Sequence, residues 1–251
     1  MSEACILKLG GSVITDKRAD CAVNREQLAT VASAIAGTRT DGIIVVHGAG
    51  SCGHPEAKRY QLDNGAKAGE TEGIFVTHKA VSSLNDEVVL ALREKGVAAI
   101  GVHPLHVGIA DKGRLVGFEC RHLETMLALG MVPVIHGDVV MDLLKGACIV
   151  SGDQLVRYLA VGLKIRRVGL ATDVPGVLDG GSVVSRITRG TVPELHIGSS
   201  THTDVTGGMR GKIDELLELA DAGIGSDIFH VSRVADFLKG SPHGGTMVRG
   251  E

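Results

Sequence analysis

Runs of four or five apolar residues, rich in Val and Ile, recur along the chain. Between them lie longer stretches in which apolar positions return every three or four residues. The first pattern reads as buried strands and the second as amphipathic helices. Strands are expected at residues 5–9, 43–46, 98–102, 132–135, 168–171, 228–231 and 246–248, and helices at 27–35, 76–95, 123–129, 153–161 and 208–222. Gly96 supplies a stop signal for the second helix, and Ile213, Leu216, Leu217 and Ala220 mark the buried face of the last. Pro133 has no N–H to donate, so its strand is expected at a sheet edge or in an irregular ladder. The polar, glycine-rich stretch 61–73 reads as a mobile loop near the ligand site. Strands alternating with helices predict a three-layer αβα sandwich around a mostly parallel central sheet. Ligands of such folds bind beyond the carboxyl ends of the strands.

Composition narrows this picture. With 251 residues, 44% hydrophobic and 22% charged, the chain reads as a single domain, residues 1–251. Aromatic residues make up 2% and Trp is missing, so the core falls to Val, Ile, Leu and Ala. The 35 glycines exceed what helix interiors tolerate, which places many of them in turns or against a ligand. A net charge of −3 and a pI near 6.4 argue against a nucleic-acid partner, which needs a basic face. The five cysteines, Cys5, Cys21, Cys52, Cys120 and Cys148, are odd in number and form no C-x-x-C pair. They read as reduced thiols, neither a disulfide frame nor a zinc site. No basic-then-apolar leader and no bilayer-length apolar run is seen, so the expectation is a cytoplasmic protein with no membrane partner.

Candidate chemistry gathers at the strand ends. Lys8 interrupts the apolar run 5–9, where an ammonium is costly unless paired, and Gly10-Gly11-Ser12 follow it. Such a turn aims backbone N–H groups at phosphate oxygens. A strand-end lysine reaching out to water gives the same spacing. His47-Gly48-Ala49-Gly50-Ser51-Cys52-Gly53-His54 follows the next strand and contains G-x-G-x-x-G. A dinucleotide fingerprint is rejected, because it belongs to the first strand of its unit. It also needs an acidic residue at the end of the next strand, about 20 positions on, and Glu70 and Glu72 lie in a polar stretch instead. A glycine-rich loop holding phosphate oxygens remains. The chain has no Walker A lysine motif, which excludes a P-loop enzyme.

Gly137-Asp138 ends another strand. Ser151-Gly152-Asp153 opens an apolar helix as an ordinary N-cap does, and Thr172-Asp173-Val174-Pro175-Gly176 reads as a turn. Thr206-Gly207-Gly208 precede Lys212, a first-turn lysine that opposes the helix dipole unless an anion binds there. A solvent-facing lysine is the alternative. His103, His106 and His136 lack ligand spacing on a common face, so no protein-bound metal is expected.

Singly these motifs are weak, but their order and spacing are specific. Lys-x-Gly-Gly-Ser at the start, His-Gly-x-Gly after the second strand, Gly-Asp-Gln at 152–154, Thr-Asp-Val-x-Gly-Val at 172–177 and Thr-Gly-Gly-Met-x-x-Lys at 206–212 resemble the amino acid kinase family over nearly the whole chain. Within that family the resemblance is closest to the isopentenyl phosphate kinases, through residues 7–17, 47–55 and 203–209. His54 is its most telling feature, similar to the histidine with which these and the fosfomycin kinases hold an anionic acceptor.

The resemblance implies the amino acid kinase (carbamate kinase-like) fold, with an acceptor-binding part over residues 1–150 and a nucleotide-binding part over residues 151–251. It implies ATP-dependent phosphorylation of isopentenyl phosphate to isopentenyl diphosphate, in an alternative mevalonate-type route. By the same resemblance, Lys8 and Lys212 contact the ATP phosphates and Lys17 lies beside the transferred group. Gly10, Gly11, Ser12 and Gly50 cradle phosphate oxygens, and Asp153 holds the lysines. Asp173 and Gly208 lie along the nucleotide, and Ala49, His54 and Gly152 contact the acceptor phosphate. Mg²⁺ comes with the nucleotide, and the assembly is a homodimer. Three departures bear on the acceptor tail and the adenine contacts: Cys52 in place of Phe, Leu178 in place of an aromatic, and few bulky aromatics over 75–84.

These residues suit phosphoryl transfer, which relies on positioning and charge stabilisation. A phosphate monoester, with a second pKa of about 6, is already a dianionic nucleophile at neutral pH and needs no general base. A hydrogen-bond donor such as His54 therefore serves better than a carboxylate. Two rivals stand beside this reading. One is a phosphonate kinase of the fosfomycin type on the same fold. The other is a non-catalytic nucleotide-binding module, which would have lost some of Lys8, Lys17, Asp153 and Lys212.

Overall fold

The computed structural model describes residues 4–16, 21–38, 41–194 and 208–251. β1 (Cys5–Leu9) leads through the short α1 (Gly11–Ile14) to the antiparallel pair β2 (Thr15–Asp16) and β3 (Ala22–Val23). Then come α2 (Arg25–Ala36), β4 (Ile43–His47), α3 (Gly50–Arg59) and the long α4 (Glu72–Glu94). The middle of the chain forms β5 (Ala99–Val102), α5 (Pro104–Val107), β6 (Gly108–Asp111), β7 (Arg114–Phe118), α6 (Cys120–Ala128), β8 (Val132–His136), β9 (Asp138–Asp142) and β10 (Gly146–Val150). The remainder forms α7 (Gly152–Gly162), β11 (Arg167–Thr172), β12 (Leu178–Asp179), β13 (Ser182–Val183), β14 (Arg186–Ile187), α8 (Gly208–Asp221), β15 (Ser226–His230), α9 (Val234–Lys239) and β16 (Thr246–Val248). None of the described helices is long and apolar enough to cross a membrane.

Among the described residues the central sheet has eight strands in the order β14-β16-β15-β11-β1-β4-β8-β5, parallel except where β15 meets β16. Side chains alternate across it. Ile6, Ile44, Val46, Ile135, Val168 and Leu170 pack with Leu155 and Leu159 of α7 and Ile213 and Leu216 of α8. Leu7, Leu9, Ile43, Val45, Val132 and Val134 pack on the other side with Leu28 and Ile35 of α2, Leu84 and Val88 of α4, and Phe237 of α9. Each fully buried Leu or Ile contributes about 1.5–3 kcal/mol, so these two layers carry most of the fold. Lys8, two residues past Ile6, therefore lies on the α7–α8 side.

Of the two settings expected for Pro133, the structure shows the irregular ladder: β8 is an interior strand, between β4 and β5. The ladder to β4 begins only at Val134, and Val132 N donates towards β5, to Ala98 O, so the missing donor of Pro133 falls where β4 does not yet pair. Of the glycine-rich stretch after β4, read from the sequence as a loop, only Gly48 and Ala49 form a turn, and from Gly50 on it is the start of α3. The stretch 61–73 is anchored at its start, where Leu62 is buried and Ala66 N donates to Lys145 O at 2.9 Å, while residues 67–72 are exposed. It rests on a second, four-stranded sheet, β10-β9-β6-β7, which the apolar pattern did not reveal.

Candidate functional site

Three neighbouring strands, β1, β4 and β8, end in glycine turns at one edge of the sheet. Gly10 N donates to Ala171 O, Gly48 N to Leu9 O and Gly137 N to His47 O, at 2.9, 3.1 and 2.9 Å, so each turn is tied to an adjacent strand end. The first two turns touch backbone to backbone. A Cβ on Gly11 would stand 2.6 Å from Gly50 N, and one on Gly48 would stand 2.8 Å from Gly11 N. Gly50 has φ +55°, a left-handed conformation that favours glycine. Thr15 fastens the two turns, donating through Oγ1 to Gly11 O at 2.9 Å and accepting from Ser51 N at 3.0 Å. The result is a pair of glycine turns in backbone contact, braced by the Thr15 hydroxyl, an arrangement suited to anions.

Beside these turns, Asp153 gathers two lysines from distant parts of the chain. Ser151 caps α7 by accepting from Gln154 N, which sets Asp153 in the first turn. Asp153 Oδ1 lies 2.6 Å from Lys8 Nζ, and its Oδ2 lies 3.4 Å from Lys212 Nζ. Lys8 and Asp153 are both buried, at 4% and 7% exposure. Burial opposes the charge on Asp153, but Lys212 and Lys8 overcome it and hold the carboxyl at about 2. For Lys8 burial wins: despite Asp153, and helped by Lys212, it lowers the ammonium to about 8. Gly152 makes room for this contact, since a Cβ there would lie 3.1 Å from Lys8 Cε. Gln154 joins α7 to the turn between β6 and β7, its Oε1 accepting from Leu115 N and its Nε2 donating to Gly113 O. Glu215 on α8 bridges Arg114 and Arg157. A cavity of about 330 Å³ opens next to Asp153, lined by Asp63, Asp214, Glu215 and Glu218 among others. Among the described residues, Arg114, paired with Glu215, is the one basic residue of this lining.

The other residues singled out from the sequence fall around the same edge. Ala49 is the N-cap of α3, and His54 sits half-buried one turn into that helix. Ser12 is in α1. Asp173 is exposed in the turn after β11, where Thr172 Oγ1 donates to Val174 O and Phe229 O. Gly208, with φ +59°, opens α8. Lys17 and residues 203–207 lie outside the described residues.

A family model for the amino acid kinase family matches residues 3–230. The chain belongs to the amino acid kinase family. It is 43% identical to an isopentenyl phosphate kinase of Haloferax volcanii over 98% of both chains. It is 36% identical to one of Methanothermobacter thermautotrophicus, over 98% of this chain and 99% of the relative. A solved isopentenyl phosphate kinase structure superposes with a TM-score of 0.86 at 32% identity, covering 97% of this chain and 99% of the other.

Two features of this amino acid kinase escaped the sequence reading. Cys21 and Cys52 are joined in a disulfide, 31 residues apart, which corrects the expectation of five reduced thiols. Spacing alone gave no signal, because the fold brings β3 and α3 together. The second feature is a histidine cluster. His103 Nδ1 lies 2.9 Å from His136 Nε2, His47 stacks on His136, and His78 and His106 complete the group. Burial lowers His47, His103 and, furthest, His136, whereas the hydrogen bond to Asp138 raises His78. The missed signal was that His47, His103 and His136 each end or follow an apolar strand. Among the described residues, no group of three or more His, Cys, Asp or Glu is arranged to hold a metal ion.

Proposed function

We propose that this chain transfers the γ-phosphoryl group of ATP to isopentenyl phosphate, making isopentenyl diphosphate in an alternative mevalonate-type route. The observation that carries this is the contact of the two glycine turns beside the Asp153-held lysines, with α3 carrying His54 away from the second turn. The naming of the relatives agrees with it. Lys8 and Lys212 bind the ATP phosphates, and Gly10, Gly11, Ser12 and Gly50 offer amides to their oxygens. Lys17 stands beside the transferred group. Asp153 fixes the two lysines, and Asp173 and Gly208 lie along the nucleotide. Mg²⁺ enters as the MgATP substrate and neutralises phosphate charge as the group moves. Ala49, His54 and Gly152 hold the acceptor phosphate, which attacks in line. No base is needed, because the acceptor is ionised already. The first 150 residues or so serve the acceptor and the remainder the nucleotide. The working form is a cytoplasmic homodimer.

The test is a panel of acceptors with MgATP: isopentenyl phosphate, longer prenyl phosphates and fosfomycin. Isopentenyl phosphate is expected to have the highest kcat/KM, and preference for the phosphonate would overturn the assignment. In His54→Ala, kcat/KM for the acceptor is expected to fall about 10- to 100-fold, the worth of a hydrogen bond to a charged group, with KM for ATP within about twofold. An unchanged acceptor KM and kcat would remove His54 from the site.

A further inference from the structure

The Cys21–Cys52 disulfide belongs to no step of phosphoryl transfer, yet it is built into the acceptor side of the site. Cys52 is buried in the first turn of α3, two residues before His54. Cys21 is exposed and immediately precedes β3. That turn of α3 already receives one tie from the β2–β3 pair, because Ser51 N donates to Thr15 Oγ1 at 3.0 Å. The disulfide adds a covalent tie from the other strand of the same pair. Cys21 itself has φ +48°, a left-handed conformation uncommon for a residue with a side chain. The remaining cysteines stay thiols. Burial pushes Cys148 up to about 12 and raises Cys120, so both are poor nucleophiles at neutral pH. A structural disulfide frame ordinarily pairs its cysteines throughout, whereas one bond between an exposed and a buried cysteine beside a site fits a redox pair.

We propose that Cys21 and Cys52 are a reversible thiol–disulfide pair that clamps the first turn of α3 to the β2–β3 pair and so sets how well the acceptor phosphate is held. The inference rests on the acceptor-binding reading of α3. Reduction starts when a thiolate of a small dithiol attacks Sγ of the exposed Cys21 and the Cys52 thiolate leaves. The second thiol of the reductant then displaces Cys21 and closes its own disulfide. The protein gains two electrons and two protons. A low-molecular-weight disulfide reverses this: Cys21 attacks it to form a mixed disulfide, and Cys52 resolves the bond, releasing the small thiol.

The experiment compares the full chain after oxidation with glutathione disulfide and after reduction with dithiothreitol. Alkylation and mass analysis should label Cys21 and Cys52 only after reduction. Reduction should lower the melting temperature by about 5 °C or more, a shift missing from Cys21→Ser. It should raise KM for isopentenyl phosphate at least about threefold and leave KM for ATP within about twofold, with Cys21→Ser fixed at the reduced values. Labelling of both cysteines before reduction overturns the pairing. An equal acceptor KM in both redox states, with pairing and melting shift present, overturns the control and leaves the proposed function standing. If neither state turns over ATP, the proposed function fails and the control with it, while mass and melting still decide the pairing.

Discussion

Lys8 shows how one residue is set by its surroundings. It interrupts an apolar strand, is almost wholly buried, and its ammonium falls to about 8 because burial outweighs the pull of Asp153. Its charge is present below that pH and lost above it. In the free enzyme, kcat/KM for ATP should therefore fall above pH 8, approaching about tenfold per unit. Fold stability should not follow it down through this group. The folded value lies below the ordinary 10.5, so between about pH 8 and 10.5 the unfolded chain holds the proton more tightly and this residue favours the fold as pH rises. Rate profiles and melting curves from pH 7 to 10 check both halves, and a kcat/KM for ATP that stays flat to pH 10 would contradict the first. The sequence left two readings for Lys8, a paired ammonium and one reaching out to water, and its burial against Asp153 decides for the first. The identity of the partner was not legible, because Asp153 reaches Lys8 only through the packing of α7 on the sheet.

At the scale of elements, the site depends on how closely two turns approach. The motif after β4 was read as a loop of backbone donors, but only Gly48 and Ala49 stay outside a helix. Helix α3 begins at Gly50, and its opening lies against Gly11. Composition could not separate these outcomes, because glycine is poor in helices and common in both loops and helix starts. The contact makes a sharp prediction for Gly11→Ala. The added Cβ meets Gly50 N and Cα at 2.6 and 2.7 Å, both main-chain atoms, so the turns must part. kcat should drop at least about 100-fold, as catalytic groups displaced by an ångström do. Gly162→Ala, whose Cβ would meet only Cys120 Sγ at 3.4 Å, should change kcat by less than about twofold. Equal effects of the two substitutions in steady-state assays would show that the close approach is not what matters. The second sheet stayed hidden for a different reason: β6, β7 and β9 mix polar and glycine positions with apolar ones and lack the long apolar runs of the central strands, which leaves the run 147–150 of β10 without evident partners.

For the whole molecule, Asp153 ties the first strand to the last long helix. Burial opposes its ionisation, and Lys212 and Lys8 hold it at about 2, below the ordinary 3.8. A carboxyl lowered on folding adds stability that is complete above about pH 4 and lost as pH falls through about 2, here about 2 kcal/mol. Urea unfolding between pH 5 and 2 should show that loss in the wild type and lack it in Asp153→Asn. The variant should also start less stable by about 3 kcal/mol, since it leaves the buried Lys8 ammonium without its counter-charge. Parallel pH dependence in the two proteins would assign the acid sensitivity elsewhere. The three-layer architecture itself was legible from the alternation of patterns, and the family from the order of its motifs.

The strand order has a consequence for how the chain is made. β1 is made before the other strands of the sheet and takes a central place, with β4 on one side and β11 on the other. β4 arrives early, but β11 follows about 160 residues later, so until then β1 is paired along one edge only. A ribosome that stalls before residue 167 would present that bare edge, with Lys8 beside it and no carboxylate yet docked, to the chaperones that patrol the exit tunnel.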